Sequence, residues 1–369
     1  MKLMKTTEAV GQVLCHDITQ IIPGVKKDAV FRKGHIITKE DIPVLLSVGK
    51  DTIYIWENDE TMMHENEAAE VLYRMSACGT NSNEADAERH CEATESGVFG
   101  GAASKMHPSP VKEGKIEVIA DCDGLLKVDS EKLKKVNSFG EMMIATRHGN
   151  TTVKKGDKLA GTRIIPLVIK KDKLKEASNI CEDGPILDIK PFVVRKAAII
   201  TTGNEVYHGR IQDAFTPVIE KKIAEFGAHM MFHEVFDDDD QKITDGCLRA
   251  IEAGAEIVFC TGGMSVDPDD KTPLAIKNTG ARIVSYGSPV LPGAMFLLSY
   301  YDAGDRLVPI CGLPGCAMYN KRTIFDIVLP RLMACDMILA DELAGLGEGG
   351  LCLNCDVCTF PNCGFGKGF

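Results

Sequence analysis

Apolar and polar positions change rhythm several times along the chain. From about residue 191 the pattern is one of buried strands, each running into a glycine turn. Arg195-Lys196-Ala197-Ala198-Ile199-Ile200-Thr201-Thr202-Gly203 is the first, Ala255-Glu256-Ile257-Val258-Phe259-Cys260-Thr261-Gly262-Gly263 the second, and Arg306-Leu307-Val308-Pro309-Ile310-Cys311-Gly312-Leu313-Pro314-Gly315 the third. Between them, residues 216–226 carry Val218, Ile219, Ile223 and Phe226 on one helical face, closed by Gly227. Residues 229–236 read as a strand, 240–253 as a helix ended by Gly254, and 323–332 as a last helix. Apolar strands alternating with amphipathic helices predict an α/β, doubly wound unit. Ligands in such folds sit beyond the carboxyl ends of the strands, so the three glycine turns are expected to converge on one crevice.

The first 190 residues have a shorter period. Residues 10–15, 29–31 and 52–56 read as short strands, with Thr38 capping a helix that runs over the apolar positions 42–48 and stops at Gly49. Residues 64–75 place Ala68, Val71, Leu72 and Met75 on one helical face. Residues 77–110 are rich in Gly, Ser, Asn, Ala and Glu without apolar period, and read as an insertion or mobile loop in which His90 and Cys91 are stray ligand-capable side chains. Strands are expected at 115–120, 142–146 and 163–169, a short helix at 129, and a hairpin over 153–160 turning at Gly156-Asp157. The resulting division is a small α+β module (1–56), an acidic and polar insertion (57–110), a β-rich module (111–190), the α/β domain (191–337), and a glycine linker with a cysteine-rich tail (338–369).

Composition narrows the partners. Lys+Arg is 42 against Asp+Glu 53, a net charge of −11, which argues against nucleic acid or an anionic membrane surface, since both select basic patches. A small anionic ligand held by backbone N–H groups and a metal ion stays open. No run reaches the ~18 apolar residues of a membrane span, and the opening residues lack the apolar core of a signal peptide. A cytoplasmic location is therefore expected, with the 14 cysteines as thiols or metal ligands.

Four loops hold candidate chemistry: Thr201-Thr202-Gly203-Asn204-Glu205-Val206; the run Thr261-Gly262-Gly263-Met264-Ser265-Val266-Asp267-Pro268-Asp269-Asp270-Lys271-Thr272-Pro273; Leu291-Pro292-Gly293-Ala294-Met295; and Gly312-Leu313-Pro314-Gly315-Cys316. Glycine at a strand end lets the backbone approach a phosphate, and Thr and Ser hydroxyls add donors. Asp267, Asp269 and Asp270 are hard oxygen ligands suited to Mg²⁺.

These four loops resemble those of the molybdopterin-binding domain shared by molybdopterin molybdotransferases and adenylyltransferases, over residues of about 193–335. The resemblance implies a three-layer α/β/α domain whose strand-end loops hold the pterin, through Thr202, Gly203, Asn204, Glu205, Gly262, Gly263, Met264, Ser265, Pro292, Gly293, Gly312, Leu313, Pro314, Gly315 and Cys316. It implies a catalytic or metal-associated carboxylate at Asp270 and a second at Asp238, within the run 237–240 that alternatively reads as an ordinary acidic helix start. The implied function is molybdenum cofactor biosynthesis: insertion of molybdate or tungstate, with Mg²⁺-assisted cleavage of adenylylated molybdopterin. A non-catalytic cofactor carrier and a nucleotide pyrophosphatase or deamidase are the alternatives. Implied partners are the pterin, the oxyanion, an apo-molybdoenzyme or other maturation proteins, and a second copy of the chain as a homodimer. The sequence differs from the molybdotransferase pattern at Ala294 and Met295 after Pro-Gly, where a Lys is usual, and at Cys316, where an Asn is usual. Ala214 and Phe215 stand near the place of another usual Asn, and the first-domain Thr-Gly-Ala phosphate motif is missing from residues 1–190.

Cys352, Cys355, Cys358 and Cys363 place four thiols within twelve positions, a spacing that predicts a zinc or iron–sulfur site on a tail joined through the glycine-rich 343–350. Arg147-His148, beside Gly149, reads as a structural turn or a phosphate contact. His16 reads as a buried histidine or a ligand. Cys316 reads as a soft ligand or persulfide carrier, or as a small buried hydrophobe.

Overall fold

The computed structural model describes residues 2–22, 26–55, 59–78, 105–265, 267 and 270–368. His90, Cys91 and Asp269 lie outside them. The chain forms two compact units, one of residues 1–121, 128–147 and 155–188, the other of 122–127, 148–154 and 189–369.

In the first unit Lys2–Lys5 pairs antiparallel with Thr52–Ile55, and Ile18–Ile22 with Lys26–Phe31. Residues 10–15 do not form the expected strand; Val13 and Leu14 make only isolated bridges to Ile36 and Ile55. The buried Leu14, Ile18, Ile37, Leu45 and Ile53 make the core of this part. Glu65–Ala77 is a helix whose buried face is Ala68, Ala69, Leu72, Tyr73, Met75 and Ser76, so the wall it presents is wider than the apolar stripe read from the sequence. Its N-cap is His64, whose Nδ1 accepts from Asn66 N–H. The expected hairpin over 153–160 is not made. Thr151–Val153 pairs with Gly124–Val128, a ribbon that falls in the second unit but for Val128, whereas in the first unit Lys158–Ile164 pairs with Lys115–Ala120 and Met142–Thr146. The turn residues explain this: Gly156 N–H donates to Ala120 O and Ala120 N–H to Asp157 O, which fastens the turn to a third strand.

The second unit is built on strands β1 (Lys196–Thr202), β2 (His229–Phe236), β3 (Ile257–Thr261), β4 (Arg282–Tyr286), β5 (Leu297–Asp302) and β6 (Leu307–Leu313). Their order is β2-β1-β3-β6-β5-β4. The first four are parallel; β5 and β4 add on antiparallel. Helices α1 (Asn204–Tyr207), α2 (Thr216–Ala224), α3 (Asp240–Glu252), α4 (Thr272–Asn278), α5 (Ile324–Met333) and α6 (Ala340–Gly345) complete it. Strand residues alternate between two cores. Ala197, Ile199, Ile257, Phe259 and Cys311 face the helices α2 and α5, while Ala198, Ile200, Val258, Cys260 and Ile310 face α3 and α4. The domain is therefore a three-layer α/β/α unit. Burial on both faces is what makes the parallel strands read as continuous apolar runs rather than alternating ones.

The segment 343–350 is not a free linker. Leu343 is buried, Leu346 packs on the core, and Phe365 returns to the same core near Phe360. Leu291 N–H donates to Gly350 O and Cys352 N–H to Leu291 O, both at 2.8 Å. No helix among the described residues is long and apolar enough to cross a membrane.

One ion cluster anchors the end of α5. Buried Asp336 receives Lys127 Nζ at 2.9 Å, Lys190 Nζ at 2.5 Å and Arg331 Nε at 2.6 Å. Burial pushes its carboxyl up, but the three cations overcome that and hold it at about 2. A depressed folded-state value contributes stability above the unfolded value near ~3.9, and that stability is lost as pH falls toward the folded value. Asp336→Asn leaves the cations facing an uncharged group, at a cost on the order of 3 kcal/mol at pH 7. Urea melts should show the gap between wild type and variant closing as pH falls from ~4 toward ~2. A gap that is constant with pH would exclude the ion pairs as its cause.

Candidate functional site

Register places the strand ends level. Thr201 of β1 lies beside Val235 of β2 and Thr261 of β3, and Thr261 lies beside Leu313 of β6. Because β5 is antiparallel and begins at Leu297 opposite Gly312, the loop 291–296 emerges at this same edge. All four motif loops are thus brought to one end of one sheet. The chain leaves β1 toward β2 on one side and leaves β3 toward β4, β5 and β6 on the other. The switch point lies between β1 and β3, where a doubly wound sheet opens its crevice. The two loops standing there are Thr201–Asn204 and Thr261–Ser265.

These two loops are latched together. Thr202 Oγ1 donates to Thr261 O at 3.1 Å and lies 3.0 Å from Thr272 Oγ1, which donates to Gly262 O at 2.9 Å. Thr202 and Thr272 are buried. Gly262 has φ +82°, and a Cβ built on it would lie 2.1 Å from Thr202 O, so glycine is required by both conformation and space. Gly263, beside it, abuts the Thr272 hydroxyl. Gly203 precedes the short α1, whose Asn204 N–H donates to Asp238 Oδ2 at 3.1 Å. Glu205 is exposed; its carbonyl accepts from Arg210 and Ile211 N–H.

The acidic run after β2 is divided among separate tasks. Asp237 Oδ2 pairs with Lys242 Nζ at 2.7 Å. Asp238 holds the Asn204 amide. Asp239 caps α3 by accepting from Gln241 and Lys242 N–H, and Asp240 accepts from Asn278. The helix-start reading therefore describes Asp239 and Asp240, while Asp238 faces the β1 loop.

Two carboxylate oxygens are buried here without a hydrogen-bond partner among the described residues: Asp237 Oδ1 and Asp270 Oδ2. Thr261 Oγ1 is a third such atom. Buried acceptors of this kind are rare in native structures and fit a cation or a ligand donor. Asp270 N–H donates to the carbonyl of exposed Asp267. Tyr286 of β4 donates its O–H to Met264 O at 3.2 Å; burial, then the charge of Asp270, pushes its phenol up.

Other predicted residues stand as scaffold or rim. Met264 and Leu313 bury their side chains in the two cores, leaving their backbone to the loops. Gly312 accommodates the Met264 thioether, and buried Gly293 makes room for Ile324, whose N–H donates to Pro292 O. Pro314 is buried; Ser265 and Gly315 are exposed. Cys316 is half-buried, and burial pushes its thiol up.

A second polar cluster escaped the sequence reading. Asp213 accepts from Thr201 Oγ1 at 2.9 Å, Thr216 Oγ1 at 2.6 Å and the amides of Phe215 and Thr216. His233 Nε2 lies 3.1 Å from Thr201 Oγ1 and 3.5 Å from Asp213. Burial raises the Asp213 carboxyl, but the Thr216, Thr201 and Phe215 hydrogen bonds outweigh it and hold it below the usual range. The signal was present as Asp213 three residues before a Thr-Pro helix start.

The expected four-thiol metal site does not assemble. Among the described residues no three His, Cys, Asp or Glu side chains gather as a metal cluster. Cys352 and Cys363 are half-buried against the core, whereas Cys355 and Cys358 are exposed, because the packing of Leu346, Phe360 and Phe365 fixes the tail.

The second unit is thus a doubly wound α/β domain with glycine loops at the switch point of its sheet. Residues 198–334 match the family described as "Probable molybdopterin binding domain". Residues 3–57 match a domain of unknown function, DUF8806. A Bacillus velezensis protein named as competence-damage inducible is 29% identical over 90 residues, which are 24% of this chain and 21% of that protein. The chain thus spans about a fifth of that relative's length. A Pyrococcus furiosus protein named molybdopterin adenylyltransferase is 26% identical over 131 residues, covering 32% of this chain and 77% of its own. Among solved structures, the tungsten cofactor synthesizing protein MoaB of Pyrococcus furiosus aligns with 38% of this chain and 88% of its own, at 18% identity and a TM-score of 0.30.

Proposed function

We propose that the crevice binds molybdopterin through its phosphate end and acts on it as a molybdotransferase does, inserting molybdate or tungstate as an adenylylated pterin is cleaved. The observation that carries this reading is the buried Asp270 Oδ2, which has no hydrogen-bond partner among the described residues and stands two positions before Thr272 of the latched loops. Mg²⁺ is commonly held by one or two carboxylates together with substrate phosphate and water, and this donor set fits it. Asp270 would hold the ion, which when bound would neutralise charge developing on the phosphate. The chain's own residues do the positioning. The Thr202–Thr272 latch fixes the two loops, Asp238 sets the first turn of α1, and the glycine backbone admits a close approach by the phosphate. No protein nucleophile is needed. The similarity to a protein named molybdopterin adenylyltransferase supports the pterin as ligand.

Calorimetry with adenylylated molybdopterin and with a plain nucleotide, each with and without Mg²⁺, tests the reading. Bare carboxylates repel an anionic ligand, so chelating the metal should weaken pterin binding about tenfold or more. Metal-independent pterin binding would instead favour a carrier, and equal affinity for the nucleotide a nucleotide-acting enzyme.

A further inference from the structure

The tail is held firmly at both ends. Cys352 N–H bonds to Leu291 O, and Gly366 N–H to Gly349 O at 3.0 Å. In between, Lys321 Nζ reaches Asp356 O at 3.4 Å, and the Arg322 guanidinium lies over the Phe360 ring, 5.0 Å from its centroid. Arg322 is itself tied to buried Asp326 at 2.9 Å. The stretch 356–360 is therefore pinned against two cations of the segment before α5, and Cys358 lies inside it. The chain bends at Asp356 and Val357, between Cys355 and Cys358.

We propose that Cys355 and Cys358 form a surface dithiol that exchanges with low-molecular-weight disulfides, Cys358 attacking first and Cys355 resolving. Both thiols are exposed, while Cys352 and Cys363 are turned toward the core. Cys358 also has the more activating surroundings. The Phe360 N–H holds its thiol below the ordinary range against the opposing effect of burial, and the Arg322 guanidinium beside it helps. Exposed Cys335 is the natural comparison, since burial and then the charge of Glu256 push that thiol up. Two residues between paired cysteines is the spacing of exchange-active dithiols.

The chemistry balances as ordinary exchange. The Cys358 thiolate attacks one sulfur of the small disulfide, forming a mixed disulfide and expelling one thiolate. Cys355 gives up its proton and attacks the Cys358 sulfur, expelling the second thiolate. Two protein thiols are oxidised, one small disulfide is reduced to two thiols, and both protons end on the leaving groups.

The test treats the full chain with oxidised glutathione, quenches with acid and maps every cysteine by mass spectrometry. Wild type should accumulate a Cys355–Cys358 disulfide carrying no glutathione, and C355S should retain glutathione on Cys358. Modification at Cys358 should outpace that at Cys335 by about tenfold or more, and R322Q should reduce this advantage without abolishing it, since the Phe360 N–H remains. The C355S result reads a covalent mass and does not depend on whether R322Q folds well. Three results would overturn the proposal: glutathione appearing at Cys335 as fast as at Cys358, pairing of Cys358 with Cys352 or Cys363 instead, or metal analysis finding a bound ion that protects the four tail thiols.

Discussion

Asp270→Asn should lower turnover of adenylylated molybdopterin by about 10²–10³ while the thermal midpoint stays within a degree or so, since the change removes a preorganised charge and adds no volume. The neutral amide is close to isosteric with the carboxylate. The oxygen at stake, Oδ2, makes no hydrogen bond among the described residues that the change could break. Fold and function are thereby separated at this half-buried position. The loss should appear in kcat and in the metal dependence together, because a weakened metal site is rescued in part by higher Mg²⁺. Single-turnover assays across a Mg²⁺ series measure both. Full activity in a folded Asp270→Asn protein would remove this carboxylate from the mechanism.

Gly262→Ala should be the most damaging small substitution in the domain. The added methyl would sit 2.1 Å from Thr202 O and 2.9 Å from its hydroxyl, at a backbone φ of +82°. Both contacts belong to the latch, so relief requires separating the β1 and β3 loops. A loss of about 3 kcal/mol or more is expected, together with loss of pterin binding. Gly280→Ala supplies the control. Its φ is nearly the same, +86°, but no atom lies within 4 Å of the new methyl. That variant bears the backbone strain alone, about 1 kcal/mol. Equal melting of the two variants in urea would show that strain, and not the close approach of the loops, explains the glycine.

The α/β domain was legible where local pattern and tertiary role agree. The strands 196–202, 257–261 and 307–313 are buried on both faces, so their apolar runs stand out, and glycine marks each end. The antiparallel strands Arg282–Tyr286 and Leu297–Asp302 went unread. The first is an edge strand with no fully buried residue, so it carries little apolar signal. In the first unit, Val10 to Cys15 have strand composition but bond to scattered partners, a choice made by distant residues. The glycines of 343–350 suggested freedom, whereas Leu343, Leu346 and Phe365 supply the anchoring. At the site, Asp238 and Asp270 were proposed from the family resemblance. Asp213, His233 and Tyr286 did not, because their roles depend on which strands become neighbours. The tail thiols were read from spacing alone, which does not say that Cys352 and Cys363 pack on the core while Cys355 and Cys358 stay exposed.

The latch between Thr202 and Thr272 has a property that appears only when its hydrogens are counted. It contains three contacts: Thr202 to Thr261 O, Thr272 to Gly262 O, and hydroxyl to hydroxyl. The two hydroxyls own only two protons. One contact must therefore always lack its hydrogen, and three arrangements of the protons share a single set of heavy-atom positions. The shortage can be moved from one carbonyl to the other by rotating hydroxyls, without shifting either loop. A ligand that supplied a donor to the Gly262 carbonyl would free the Thr272 proton for Thr202, and the shortage would vanish. The junction is thus rigid in shape yet adjustable in polarity, and its last hydrogen bond is left for a visitor to complete.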